Sequence, residues 1–181
     1  MTTDDIRRRF EFSGSFNEIF EAFEHALSRR IEDIDLYRRL FWNPALTPDE
    51  LRLFGEKLSR EFGHLSYDVF MWLASVFEAT TASRDNYELA VEYYRKAARS
   101  QPHRPEPYIY AADCHDPDLN IPPVSTLITF LKEGTQNVPA PKLLYQRLSR
   151  LYDHVGNDEM AAFFRRKGEE GAQSGDVPTE L

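Results

Sequence analysis

The stretch Asn86-Tyr-Glu-Leu-Ala-Val-Glu-Tyr-Tyr-Arg-Lys-Ala-Ala-Arg-Ser-Gln-Pro102 decides the fold. Its apolar residues recur three and four apart, the period of a helix with one buried face. Within that period Ala90 and Ala97 are small, the aromatic Tyr94 stands between them, and Pro102 closes the stretch. The same intervals return at Leu127, Leu131, Gly134 and Pro139. They return in part at Ala161, Arg165 and Gly168, where Arg165 breaks the aromatic slot and no proline follows. Small residues let two helix backbones approach closely, and the large residue between them covers the next helix. An ordinary amphipathic helix has no need of both small positions and the proline. Their recurrence marks a repeated pair of helices.

This pattern resembles the second half of the tetratricopeptide repeat (TPR). The family's first half, W-x2-L-G-x2-Y, is matched in spacing three times. The sets are Phe70/Leu73/Ala74/Phe77, Tyr108/Ala111/Ala112/His115 and Tyr145/Leu148/Ser149/Tyr152. Repeats therefore begin near Tyr67, Pro105 and Lys142, 38 and 37 residues apart, against about 34 in the family. The surplus falls between the two helices of a pair, in 79–85 and 116–121. The resemblance implies an all-α, TPR-like helical-hairpin solenoid of about three repeats, at 67–104, 105–141 and 142–170. Additional N-terminal helices in 1–66 pack on this array, and 171–181, without periodicity, reads as a disordered tail.

The first 66 residues are also read as helical. Ser15 with Glu18 predicts a capping box, followed by an apolar stripe of Phe16, Ile19, Phe20, Phe23, Ala26 and Leu27. Phe16, Ile19, Phe23 and Ala26, preceded by Gly14, have the look of a vestigial second half of the repeat. Ile31, Ile34, Tyr37, Leu40 and Phe41 form a second stripe, ending near Asn43-Pro44. Thr47-Pro48-Asp49-Glu50 starts a third, with Thr47 capping and Pro48 in the first turn. Only Arg9-Phe10-Glu11-Phe12 alternates as a strand would, over four residues bounded by Ser13-Gly14.

Composition excludes several functions. The 181 residues carry a formal charge of −8, which argues against nucleic-acid and anionic-membrane partners, whose binding relies on clustered cations. One cysteine, Cys114, excludes an internal disulfide and a cysteine zinc cage and suits a cytoplasmic location. The longest uncharged run, 119–131, is 13 residues with two prolines, so no membrane span is expected. The acidic start lacks the basic end and apolar stretch of a secretory signal, and nothing directs export.

Candidate sites are few. Asp113-Cys114-His115-Asp116, with Asp118, is the densest group of titratable residues. Neighbours on a helix diverge by about 100°, so the run cannot converge on a metal or a substrate by itself. His25, His64, His103 and His154 lack metal-ligand spacing, and no glycine-rich phosphate loop exists. The expectation is a protein that is not an enzyme and has no cofactor or metal.

In TPR proteins the first helices of successive repeats line a concave groove that receives a peptide. By that resemblance the groove here presents Met71, Ser75 and Glu78, then Ile109, Tyr110, Asp113 and Asp116, then Gln146, Arg150 and Asp153. Met71 and Ser75 replace the lysine and asparagine of the family's carboxylate clamp, so a chaperone-tail binder is not expected. Four acids beside apolar surface favour a protein or peptide partner that is basic and carries an apolar anchor. The function expected is an adaptor or scaffold. The layout is also similar to type III secretion chaperones, and a structural oligomerisation module is a further alternative. Phe163 and Phe164 on the last helix point to a homodimer.

Overall fold

The computed structural model describes residues 1–80 and 85–173. Among them are ten α-helices and no strand. The chain forms two compact units, residues 1–100 and 101–181.

The first unit holds α1 (Thr3–Phe12), α2 (Phe16–Ser28), α3 (Ile34–Phe41), α4 (Pro48–Glu61), α5 (Ser66–Ala79) and α6 (Asp85–Ser100). A single 3-10 turn, Gly63–Leu65, precedes α5. The capping box predicted at Thr47 and Glu50 forms. The one predicted at Ser15 does not. The Ser13 hydroxyl takes that role, donating to Glu18 at 2.7 Å and accepting the Ser15 N–H at 3.1 Å.

The alternating 9–12 stretch is the last turn of a helix rather than a strand. Thr2 and Asp5 close a capping box at its start, and Ile6 and Phe10, four apart, are both fully buried. Phe12 falls off this face and is 75% exposed. Asn43, itself buried, donates its amide to the Phe10 and Ser13 carbonyls at 2.9 and 3.0 Å. That satisfies the open end of α1 and fixes it to the end of α3.

Within this unit α1 packs on α2 and α3, α3 on α5, α2 on α4, and α4 and α6 on α5. Odd-numbered helices neighbour one another, so residues 1–66 follow the alternation of the repeats. Phe54 of α4 stands 4.9 Å from Phe23 and 5.8 Å from Phe16 of α2, and Phe23 and Phe10 both meet Tyr37 at 6.1 Å. This aromatic cluster joins the N-terminal helices, each fully buried ring contributing about 1.5–3 kcal/mol. On α6, Ala90, Tyr94 and Ala97 are all buried, and Tyr93 stacks on Phe77 of α5 at 5.6 Å.

The second unit holds α7 (Glu106–Asp113), α8 (Val124–Asn137), α9 (Lys142–His154) and α10 (Asp158–Gln173). Leu127, Leu131 and Gly134 of α8 are buried. So are Ala161 and Gly168 of α10, while Arg165 between them faces solvent. Phe164 is buried and stacks against Tyr145 and Tyr152, and Phe163 is exposed. Of the 171–181 segment, 171–173 continue α10, and the rest lies outside the described residues, as do 81–84 of the first inter-helix surplus. The second surplus, 116–121, is a short loop pinned by an antiparallel bridge between Asp116 and Ile121.

Gly134 marks the tightest crossing of this unit. A Cβ there would stand 2.8 Å from the buried Tyr108 ring and 2.6 Å from Leu144, whereas one at Gly168 would meet nothing closer than 3.7 Å. Overpacking costs about 1–3 kcal/mol, and alanine returns about 1 kcal/mol of helix propensity over glycine. Gly134→Ala should therefore lower the urea midpoint of unfolding, and Gly168→Ala should leave it unchanged or raise it. Equal shifts in both variants would contradict this packing.

Candidate functional site

The ten groove residues expected from the sequence fall into three settings. In the first unit, Met71, Ser75 and Glu78 follow one another at intervals of four and three along α5, on a half-buried stripe. The Ser75 hydroxyl is turned back onto the Met71 carbonyl at 3.0 Å. Glu78 accepts from the Tyr94 hydroxyl at 2.7 Å. Beside this stripe the Arg38 guanidinium of α3 lies 5.1 Å over the Trp72 ring of α5.

In the second unit, α7 and α9 lie side by side and run in the same direction. Tyr108 and Leu144 meet at Gly134, and further along each helix Asp113 meets Arg147. That pair is bidentate: Arg147 Nε donates to Asp113 Oδ1 at 2.8 Å and Nη2 to Oδ2 at 2.9 Å. These hydrogen bonds, ahead of simple charge attraction, hold the Arg147 guanidinium above its ordinary pKa. One turn before the pair, each helix presents an apolar side chain: Tyr110 on α7 is 45% exposed and Leu143 on α9 is 48% exposed. Ile109, expected beside Tyr110 in the groove, is buried instead.

Gln146, Arg150 and Asp153 line a separate cleft between α9 and α10, with Lys142, Arg165 and Glu169. Arg165 Nη2 donates to Asp153 Oδ2 at 2.9 Å. Asp116 serves the inter-helix loop, accepting the N–H groups of Asp118 and Leu119 at 2.9 and 3.0 Å.

The 113–116 run diverges as helix geometry requires. Asp113 turns to α9, Cys114 is buried, and His115 donates from Nδ1 to the Pro122 carbonyl at 3.0 Å. The His115 ring meets His154 edge-on at 5.4 Å. Among the described residues no group of three or more His, Cys, Asp or Glu side chains is placed to hold a metal. No described helix is long and apolar enough to cross a membrane.

Sequence reasoning missed Leu143, Arg147 and Lys142. Leu143 and Arg147 are four apart, which places them on one face. The link of Arg147 to Asp113, 34 residues away in sequence, depends on the side-by-side packing of two helices.

No protein-family model matches this chain, and no curated protein matches it. Among solved structures, a crystal structure of MamA aligns over 97% of this chain and 96% of its own, at 15% identity and a TM-score of 0.55. A second crystal structure of MamA protein covers 99% and 95%, at 15% identity and a TM-score of 0.56. The likeness is one of fold: an all-α helical repeat resembling MamA, a TPR-containing protein.

The Asp113–Arg147 pair is partly exposed, which limits its worth to about 0.5–1 kcal/mol. A double-mutant cycle of Asp113→Ala and Arg147→Ala, read by chemical unfolding, should give a coupling energy in that range. Strict additivity would show that the pair contributes nothing to stability.

Proposed function

We propose that the chain is a TPR-type, non-enzymatic scaffold that holds a segment of a protein partner against the α7–α9 face. One observation carries this reading. Tyr110 and Leu143 stay exposed on two parallel helices, each about one turn before a member of the bidentate ion pair that joins those helices. A rigid face with an exposed aromatic suits an apolar anchor on the partner, since aromatic anchors in well-ordered settings dominate binding energy. A basic character of the partner rests on Glu78, Asp113, Asp116 and Asp153. Each of these already accepts hydrogen bonds from the chain itself, so basic residues would compete with existing partners. The anchor is the stronger half of the reading.

Self-association, whether as a homodimer or as a structural oligomerisation module, would run through Phe163. That ring is exposed on α10 with the Lys167 ammonium 6.0 Å from its centre. The cytoplasmic assignment rests on cysteine usage.

A photo-crosslinking phenylalanine at position 110 should capture one defined protein in cells, whereas the same group at the exposed Glu88 should not. With that protein in hand, Tyr110→Ala should speed its dissociation about tenfold, equivalent to about 1.4 kcal/mol. An unchanged off-rate would remove the α7–α9 face as the site.

A further inference from the structure

Each hairpin of a helical repeat leaves one face to be covered by the helix that follows. In the second unit α9 covers α8, and the close approach of Leu144 to Gly134 shows how tightly. Gly168 of α10 stands at the corresponding place in the last hairpin and is also buried. The nearest atoms a Cβ there would meet are Tyr145, Gln146 and the Lys142 carbonyl, at 3.7–3.8 Å, all from α9 of the same hairpin. Among the described residues no further helix closes on it. The space is a cleft of about 590 Å³ between α9 and α10.

The walls of this cleft are unlike those of an apolar seat. Arg165 occupies the slot that α6 and α8 fill with the fully buried Tyr94 and Leu131, and its side chain is 57% exposed. Lys142, Gln146 and Arg150 follow at intervals of four along one ridge of α9 and all line the cleft.

The charges do not cancel. Asp153 is taken by Arg165 and Asp113 by Arg147, so the ion pairs of this unit leave out Lys142 and Arg150 among the described residues. Glu169 is the one further acid in the lining. Lys142 and Arg150 stand about 12 Å apart along the helix, given 1.5 Å of rise per residue, and with Arg165 they outnumber the two acids of the lining, Asp153 and Glu169, by one. That span is too long for one carboxylate or phosphate and fits two acidic side chains about two helical turns apart.

We infer that the α9–α10 cleft is the seat of an acidic helical segment of a partner protein, which takes the place of the next helix and completes the last hairpin. Carboxylates on that segment pair with Lys142 and Arg150, and the guanidinium of Arg150 offers the planar, two-pronged geometry such groups prefer. This site uses residues distinct from Tyr110 and Leu143, so it stands even if the α7–α9 face binds nothing.

The probe is a fluorescein-labelled helical peptide of about 16 residues, built from alanine with glutamates in pairs eight apart. Its control has every glutamate replaced by glutamine. By fluorescence anisotropy the acidic peptide should bind the full chain at least about tenfold more tightly than its control, and binding should weaken with added salt. Arg150→Glu and Lys142→Glu should each lower its affinity about tenfold. Arg166→Glu, on α10 but outside the cleft lining, should leave affinity within about twofold. Equal binding of the two peptides, no binding of either, or an equal loss in Arg166→Glu would overturn the inference. Removing 174–181, which carry Asp176 and Glu180, should leave affinity unchanged. A gain of about tenfold on that removal would assign the cleft to the chain's own residues and overturn the partner as its occupant.

Discussion

Two helices can approach each other only as far as the side chains between them allow, and this chain makes its closest approaches where it places glycine or alanine. Gly134 lets α8 come within contact of Tyr108 on α7 and Leu144 on α9 at once. Gly55 on α4 does the same against Leu73 of α5, and Ala90 and Ala97 on α6 are buried where that helix packs on α5. Large rings pack between the same helices and would lose their contacts if the helices moved apart: Tyr108 on Phe130 at 4.7 Å, Tyr93 on Phe77 at 5.6 Å. The close approach sets the register of the odd-numbered helices, and the register sets which polar side chains meet.

The Asp113–Arg147 pair is the clearest consequence. It exists because Gly134 holds Tyr108 and Leu144 at one level, which brings residues one turn and more further along into hydrogen-bond range. At the last hairpin the rule is relaxed. Among the described residues no further helix closes on Gly168, and Arg165 makes the neighbouring surface polar.

The repeat was legible in the sequence because its signal is local. Ala90, Tyr94, Ala97 and Pro102 lie within four helical turns, and their meaning follows from helical spacing alone. The start of α4 was legible for the same reason, from Thr47, Pro48 and Glu50. The first helix was not read, although Thr2 and Asp5 carry its cap, because only Ile6 and Phe10 form its buried stripe among consecutive arginines. At Ser15 the residue type was right for a cap and the geometry was not, since Ser13 reaches the same glutamate. The candidate site was legible in outline only. Tyr110 and Asp113 are where helical spacing puts them, but Ile109 turned inward, Asp116 was drawn into its loop, and the ion pairs of Asp113 and Asp153 depend on helix contacts that no local pattern encodes.

The close crossing at Gly134 is open to direct observation by solution NMR of isotope-labelled protein. The account predicts nuclear Overhauser contacts from the Gly134 α-protons to both the Tyr108 ring and the Leu144 methyl groups. It also predicts α-proton resonances moved from their usual position by the adjacent ring. Contacts to neither residue, with Gly134 shifts typical of an exposed helical glycine, would contradict the helix register on which the second unit and its proposed sites depend.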